Sequence, residues 1–196
     1  MKKRIVILLV VLAAVAASLA RAEPPSDSAT YTVVLAGGAT ENSMQIWLTP
    51  DGYSYVIDSA VPLEVGGTVC ENAPDNPNQL ICKAPLVAGF EVNGGPGKDS
   101  VMVTRAVGVP VTMRGGPGRD LLIGGGGSDK LIGGEGGDAL FGRAGNDVLF
   151  GGPGKDELFG GSGSDALWGG PGRDELRPGS GNDSLHEGAQ RFTVRP

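Results

Sequence analysis

The chain has 196 residues, 35 of them glycine and only 5% aromatic, and carries a formal net charge of −6 with a pI near 4.8. Such acidity argues against nucleic acid as a partner. With one His and two Cys in the whole chain, a zinc or copper centre is a poor fit as well.

The first residues predict the compartment. Met1-Lys2-Lys3-Arg4 is a basic start, Ile5 to Ala17 an apolar run, and Ala20-Arg21-Ala22 a small-residue cleavage site, which together read as a secretory signal peptide. The apolar run is too short to favour a membrane span, so the mature chain has no transmembrane segment. Cleavage after Ala22 leaves 174 residues starting at Glu23, and loss of Lys2, Lys3, Arg4 and Arg21 takes the formal charge from −6 to −10. The expected location is extracellular.

Glu23 to Ala29 is expected to be a leader. Beyond it, Tyr31-Thr32-Val33-Val34-Leu35, Met44-Gln45-Ile46-Trp47-Leu48 and Tyr53-Ser54-Tyr55-Val56-Ile57 are short apolar or alternating runs separated by Gly, Asn and Asp, the pattern of β-strands. Roughly sixty residues hold only a small core, so this segment is expected to dock as a cap on whatever follows. Cys70 and Cys82 are the only cysteines, and export to an oxidising space makes a disulfide between them the leading reading. A redox pair is the weaker alternative, because the spacing is not C-x-x-C and no histidine lies nearby; a metal site is weaker still.

From Gly94 onward the chain repeats. Asp120, Asp129, Asp138, Asp147, Asp156, Asp165, Asp174 and Asp183 recur every nine residues, most within the frame Gly-Gly-x-Gly-x-Asp-x-Leu-x. Gly133-Gly134-Glu135-Gly136-Gly137-Asp138-Ala139-Leu140-Phe141 is one such unit. Glycines at the first, second and fourth positions permit a curled backbone that aims carbonyl oxygens inward, and the aspartate adds a charged oxygen. Carboxylate and carbonyl ligation suits a hard cation such as calcium. The closing x-Leu-x is a minimal strand, so Leu122, Leu131, Leu140, Leu149, Leu158, Leu167, Leu176 and Leu185 are predicted to form an inward ladder. A second period lies on the first: Pro117, Pro153 and Pro171, and Arg119, Lys155 and Arg173, fall on alternate units, with Ser128, Asn146, Ser164 and Asn182 between. Composition therefore repeats every eighteen residues, as expected if two nonapeptides complete one coil of a flattened solenoid.

These units resemble the RTX, or haemolysin-type, calcium-binding nonapeptide. The resemblance is specific for Gly94 to His186. It implies an all-β, right-handed parallel β-roll, two nonapeptides per coil, with each calcium held between loops eighteen residues apart. The predicted organisation is a signal peptide over 1–22, a leader and β-rich cap with the disulfide over 23–92, the roll over 93–186 and a tail over 187–196. Gly94-Gly95-Pro96-Gly97-Lys98-Asp99 joins the basic edge, with Thr104 to Pro110 enlarging the first coil by three residues and offering no aspartate. The expected metal residues are thus Asp99 and the eight aspartates of the array. Stacked pairs on the basic edge are Asp99/Asp120, Asp120/Asp138, Asp138/Asp156 and Asp156/Asp174, and on the polar edge Asp129/Asp147, Asp147/Asp165 and Asp165/Asp183, a ceiling of seven shared calcium positions. Arg143 replaces the second glycine of its unit and Pro178 the first glycine of the last.

The competing reading is that aspartate serves only as a turn former. Asn or Ser would do as well, yet no unit in the array substitutes it. Stacked strands lie about 4.8 Å apart, and two carboxylates at that separation repel by about 3 kcal/mol at an effective dielectric near 20. A metal-free array of glycine-rich turns is therefore expected to be largely disordered and to fold on binding calcium.

No catalytic constellation stands out. H-E-x-x-H and G-x-S-x-G are both missing from the sequence, and His186, at the end of the last repeat, is expected to be an exposed strand residue. The protein is expected not to be an enzyme. The ninth positions sort into two outward ladders, Ile123/Phe141/Phe159 and Ile132/Phe150/Trp168. Ordinary neighbour pairing that shields a thin sheet is the favoured reading; a glycan, a lipid surface or another protein or roll is the alternative. Function is therefore expected to be that of a secreted calcium-binding protein, with a surface adhesion or matrix component, or a secretion and folding accessory, as rivals.

Overall fold

A computed structural model describes residues 5–7, 31–36, 41–52, 54–59, 70–83, 87–186 and 193–194. Most of the expected signal peptide, its cleavage site, the leader Glu23 to Ala29 and most of the tail fall outside these residues. Every described regular element is a β-strand, and no helix among the described residues is long and apolar enough to cross a membrane.

The N-terminal strands are β1 (Ile5–Ile7), β2 (Tyr31–Ala36), β3 (Ser43–Leu48), β4 (Ser54–Ser59), β5 (Cys70–Ala73) and β6 (Asn76–Lys83). There follow β7 (Val87–Asn93), β8 (Ser100–Val103), β9 (Val111–Gly118), β10 (Leu121–Ile123), β11 (Lys130–Gly136) and β12 (Ala139–Ala144). The array ends with β13 (Val148–Phe150), β14 (Glu157–Ser162), β15 (Ala166–Trp168), β16 (Glu175–Ser180), β17 (Ser184–His186) and β18 (Thr193–Val194). From β7 onward, alternate strands go to opposite sheets. One sheet runs β1-β2-β7-β9-β11-β13-β15-β17, the other β18-β16-β14-β12-β10-β8-β3-β4-β6-β5.

The array strands pair in parallel, and their register carries the eighteen-residue period: Leu122 faces Leu140, and Leu149 faces Leu167. The chain is a β-roll, a solenoid of about five turns. Between β8 and β10 the offset is twenty-one residues, Leu121 against Ser100, whereas β9 and β11 keep eighteen, Lys130 against Thr112. The three extra residues therefore lie in 104–110, as the sequence indicates. Leu122, Leu131, Leu140, Leu149, Leu158, Leu167 and Leu176 are all fully buried, the expected inward ladder, with Leu185 partly buried at the open end.

The N-terminal segment is more than a docked cap. β2 pairs in parallel with β7, and β3 with β8, so these two strands repeat the arrangement of β7 and β8 one coil earlier. β4, β6 and β5 then extend the second sheet in antiparallel fashion. Cys70 and Cys82 face each other across β5 and β6 and are bonded, and both are buried. One continuous apolar cluster runs from Ile57, Leu80 and Ile46 through Phe90, Val92 and Met113 into the leucine ladder. The sequence patterns marked β2, β3 and β4 to within one or two residues but did not mark β5, β6 or β7 as strands.

Candidate calcium sites

Each loop lies between a strand of one sheet and a strand of the other, so the loops stack into two columns along the edges of the roll. The second and fourth positions of most loops adopt positive φ, which favours glycine; Gly136 has φ 137°, and a Cβ there would overlap the Gly118 carbonyl of the preceding coil. That close stacking brings the aspartates into line. On the basic edge the main-chain N–H of Asp99 donates to Asp120 Oδ1 (2.8 Å), that of Asp120 to Asp138 (2.8 Å), that of Asp138 to Asp156 (2.9 Å) and that of Asp156 to Asp174 (3.1 Å). On the polar edge Asp129 donates to Asp147 (2.8 Å), Asp147 to Asp165 (2.8 Å) and Asp165 to Asp183 (2.9 Å). These are the seven pairs expected from the spacing, and Asp99/Asp120 is as well formed as the rest.

The N–H bonds to the aspartates along the columns occupy Oδ1, and in most of them the second oxygen is left over. Asp99, Asp120, Asp138, Asp147, Asp156 and Asp165 all keep a buried Oδ2 without a hydrogen-bond partner, which is costly in a native fold unless another group satisfies it. Asp129 Oδ2 alone accepts a bond from the Gly125 N–H (2.7 Å). The Oδ2 atoms, that of Asp129 included, share a common setting. A Cβ on Gly94 would lie 2.6 Å from Asp99 Oδ2 and 2.7 Å from the Gly115 carbonyl oxygen. A Cβ on Gly151 would lie 2.5 Å from Asp156 Oδ2 and 2.6 Å from the Gly169 oxygen. The same cradle recurs at Gly115, Gly124, Gly133, Gly142 and Gly160, where Pro178 supplies the carbonyl in place of glycine. Seven cradles thus bring together a carboxylate oxygen and the carbonyl of the next coil.

Among the described residues no three Asp, Glu, His or Cys side chains converge as a cluster. Each cradle offers one carboxylate with main-chain oxygens, a donor set that fits calcium and not a soft metal. The electrostatics agree. Burial pushes the Asp147 and Asp156 carboxyls up to about 7, and the neighbouring aspartates of the column add to the rise. Asp120 and Asp129 are raised to about 6, again mainly by burial. Asp138, Asp165 and Asp174 are shifted in the same direction for the same reason. A metal-free column is thus held at the expense of its charges.

The two edges differ beyond their aspartates. On the polar edge the Asn146 N–H donates to Ser128 Oγ (3.2 Å) and the Ser164 N–H to Asn146 Oδ1 (2.8 Å), a second ladder at the fifth position. Arg119, Lys155 and Arg173 at that position of the basic edge are exposed. The outward ladders form as expected. Phe141 stacks on Phe159 at 4.4 Å, and Phe150 on Trp168 at 4.6 Å. His186 is exposed, and it also stacks on Trp168 at 4.2 Å, continuing a ladder that the sequence had ended at the tryptophan. Arg177 likewise continues the other ladder, 4.9 Å above Phe159.

Sequence reasoning missed Asn42, which is buried and hydrogen-bonded to Asp99 through its main-chain N–H (2.7 Å) and its amide (2.8 Å). A signal was present. Gly37-Gly38-Ala39-Thr40-Glu41-Asn42 keeps the glycine pair of the unit and has Asn where the aspartate stands.

No curated protein and no solved structure matches the chain. The family model described as RTX calcium-binding nonapeptide repeat (4 copies) matches three times, over residues 114–149, 132–167 and 150–185. Successive matches are offset by eighteen residues, one coil, in step with the strand register. Residues 114–185 of this chain are an array of RTX calcium-binding nonapeptide repeats.

Proposed function

We propose that this is a secreted, non-enzymatic calcium-binding protein whose array folds as extracellular calcium enters the two columns. The observation that carries the reading is the recurrent buried Oδ2 without a partner, facing the carbonyl of the next coil. A divalent cation there would satisfy both oxygens and offset the repulsion along the column. Asp99, Asp120, Asp138 and Asp156 would supply the carboxylate oxygens of four positions on the basic edge, and Asp129, Asp147 and Asp165 those of three on the polar edge. Asp174 and Asp183 close the columns by accepting the N–H bonds of Asp156 and Asp165. Seven ions is then the ceiling.

Coupled folding follows from composition. The loops bury little beyond one leucine per nonapeptide, too little to oppose the ordering of nine backbone residues without ion binding. Affinities on the order of 10⁻⁴ to 10⁻³ M per site, the range of extracellular modules, would suffice outside a cell. Export is supported by the basic, apolar and small-residue succession of residues 1–22, and RTX repeats are typical of secreted bacterial proteins.

The second reading is a surface adhesion or matrix component acting through the outer faces. The aromatic ladders motivate it, yet their rings stack on one another at 4.4 and 4.6 Å, so each ring face is covered by its neighbour. Faces already covered cannot lie against a sugar ring, which favours shielding of the sheet over glycan binding. A secretion accessory, the remaining rival, sits poorly with an N-terminal export signal.

The test is a calcium titration of the purified protein, following β-structure by circular dichroism and stoichiometry by calorimetry. Several ions bound per chain, with a rise in β signal, is the expected result. A full β signal in excess chelator would sink coupled folding, and absence of binding would sink the reading as a whole.

A further inference from the structure

Both columns need an N-terminal end, and at neither end is there an aspartate to supply one. On the basic edge, Ser43 pairs with Ser100, which places Asn42 beside Asp99, at the aspartate position of one coil earlier. Its main-chain N–H donates to Asp99 Oδ1 (2.7 Å), just as the Asp99 N–H donates to Asp120 Oδ1 (2.8 Å). Its side-chain Nδ2 donates to the Gly94 carbonyl (3.0 Å) and to Asp99 Oδ1 (2.8 Å). In the coils below, the equivalent carbonyls of Gly115 and Gly133 face an unpartnered carboxylate oxygen. At the top of the column a neutral amide N–H does the work left there to an ion.

The polar edge ends differently and to the same effect. Ile123 pairs with Met102, so Val103 holds the first-glycine position of the coil before Gly124, and its side chain is fully buried. Val111 holds the aspartate position; its N–H donates to Asp129 Oδ1 (2.8 Å), but it returns no carboxylate. Gly124 O therefore has no acidic neighbour above it. Arg143 reaches back from the next coil, and its Nη1 donates to Gly124 O (3.2 Å) and Val103 O (2.7 Å). Arg143 is the one non-glycine residue with positive φ, 81°, among the described residues. That conformation costs on the order of 1–2 kcal/mol, and a side chain that closes the column gives a reason to retain it.

We propose that Asn42 and Arg143 are built-in substitutes for calcium that close the N-terminal ends of the two columns. The coils they close keep their fold without calcium and template the coils that follow. This rests on the calcium reading above. The same coils have the richer apolar core, with Phe90, Val92, Val101, Val103, Val107, Val111 and Met113 buried where later coils bury only leucine. The disulfide-linked hairpin of β5 and β6 belongs to the same sheet. Calcium-driven folding then runs from the N-terminal coils toward β17.

The experiment is residue-resolved amide hydrogen exchange on the secreted protein, in chelator and in saturating calcium, beside calorimetry. The N–H groups of Ser100, Thr104 and Leu121 are hydrogen-bonded to Asn42, Ile46 and Asp99, and those of Glu157, Glu175 and Ser184 to Asp138, Asp156 and Asp165. In chelator the first three should exchange at least tenfold more slowly than the last three, a gap on the order of 1.4 kcal/mol. Arg143→Gly, which removes the guanidinium while suiting the backbone, should lower protection at Thr104. Asn42→Asp should lower protection at Ser100 in chelator and bind one more calcium ion than wild type. Uniform exchange along the wild-type chain in chelator, or two variants indistinguishable from it, would overturn the proposal. Wild-type calorimetry tests the calcium reading separately, because binding without these exchange differences defeats only the caps.

Discussion

Asp147→Asn is the sharpest probe of the columns, because Asn42 already provides its precedent. Asp147 sits mid-column between Asp129 and Asp165, with Oδ1 accepting the Asp129 N–H (2.8 Å) and Oδ2 buried without a partner. An asparagine can keep the first bond and turn its amide toward the Gly160 carbonyl, as Asn42 turns toward Gly94 at 3.0 Å. The carboxyl is raised from 3.8 to about 7, by burial first and by its two aspartate neighbours next. At about 1.4 kcal/mol per pH unit, keeping it charged in a metal-free coil costs up to roughly 4 kcal/mol above pH 7. Repulsion of about 3 kcal/mol from one neighbour at strand spacing is of the same order. Against this, a lost calcium site costs only about 1.4 kcal/mol at a free concentration tenfold above its Kd. The variant should therefore bind one ion fewer in calorimetry, yet reach half its β signal at a lower calcium concentration, with more structure in chelator at pH 8. An unchanged ion count, or a metal-free form less structured than wild type, would refute the reasoning.

The remaining predictions concern pH, the two edges and the outer ladders. Asp120, Asp129, Asp147 and Asp156 have folded values of about 6, 6, 7 and 7 against 3.8 when unperturbed, so the metal-free fold binds more protons than the unfolded chain. Its stability should rise as pH falls from about 7 toward 4, seen as increasing β signal in chelator, while calcium affinity weakens over the same range; a metal-free signal that falls on acidification would contradict this. Replacing Lys155 and Arg173 by Ser should tighten binding on the basic edge by a few-fold at low salt and bring two classes of site toward one; identical isotherms for variant and wild type would remove the distinction between edges. Trp168→Ala breaks ring stacks to Phe150 and His186 at 4.6 and 4.2 Å, and at about 0.5–1.5 kcal/mol per aromatic pair should lower denaturant stability in saturating calcium by about 1–3 kcal/mol. No change would mean that the ladder contributes nothing to the sheet.

Much of this molecule is determined by its periodicities alone. A nine-residue interval of aspartate and leucine fixes what points inward and where the charges recur, and the alternation of Arg119, Lys155 and Arg173 with Ser128, Asn146 and Ser164 fixes two units per coil, because stacking makes like loops neighbours. The three-residue insertion in 104–110 could be counted from the spacing of Asp99 and Asp120 for the same reason. What only the tertiary structure decided lies where the period fades. The strands β2 and β3 are a coil of the solenoid, but Asn42 stands in its aspartate position and the excursion through β4, β5 and β6 separates it from β7, so local pattern could not join what parallel pairing brings together. Arg143 looked like a departure from the glycine rule; its reach to Val103 and Gly124 depends on a neighbouring coil that no window of its own unit contains. The unequal use of each carboxylate was hidden too, since one oxygen is held by a main-chain N–H eighteen residues away and the other is left facing a carbonyl only because the coils stack. Sequence repeats specify which groups recur, and packing between coils decides which of their atoms remain free.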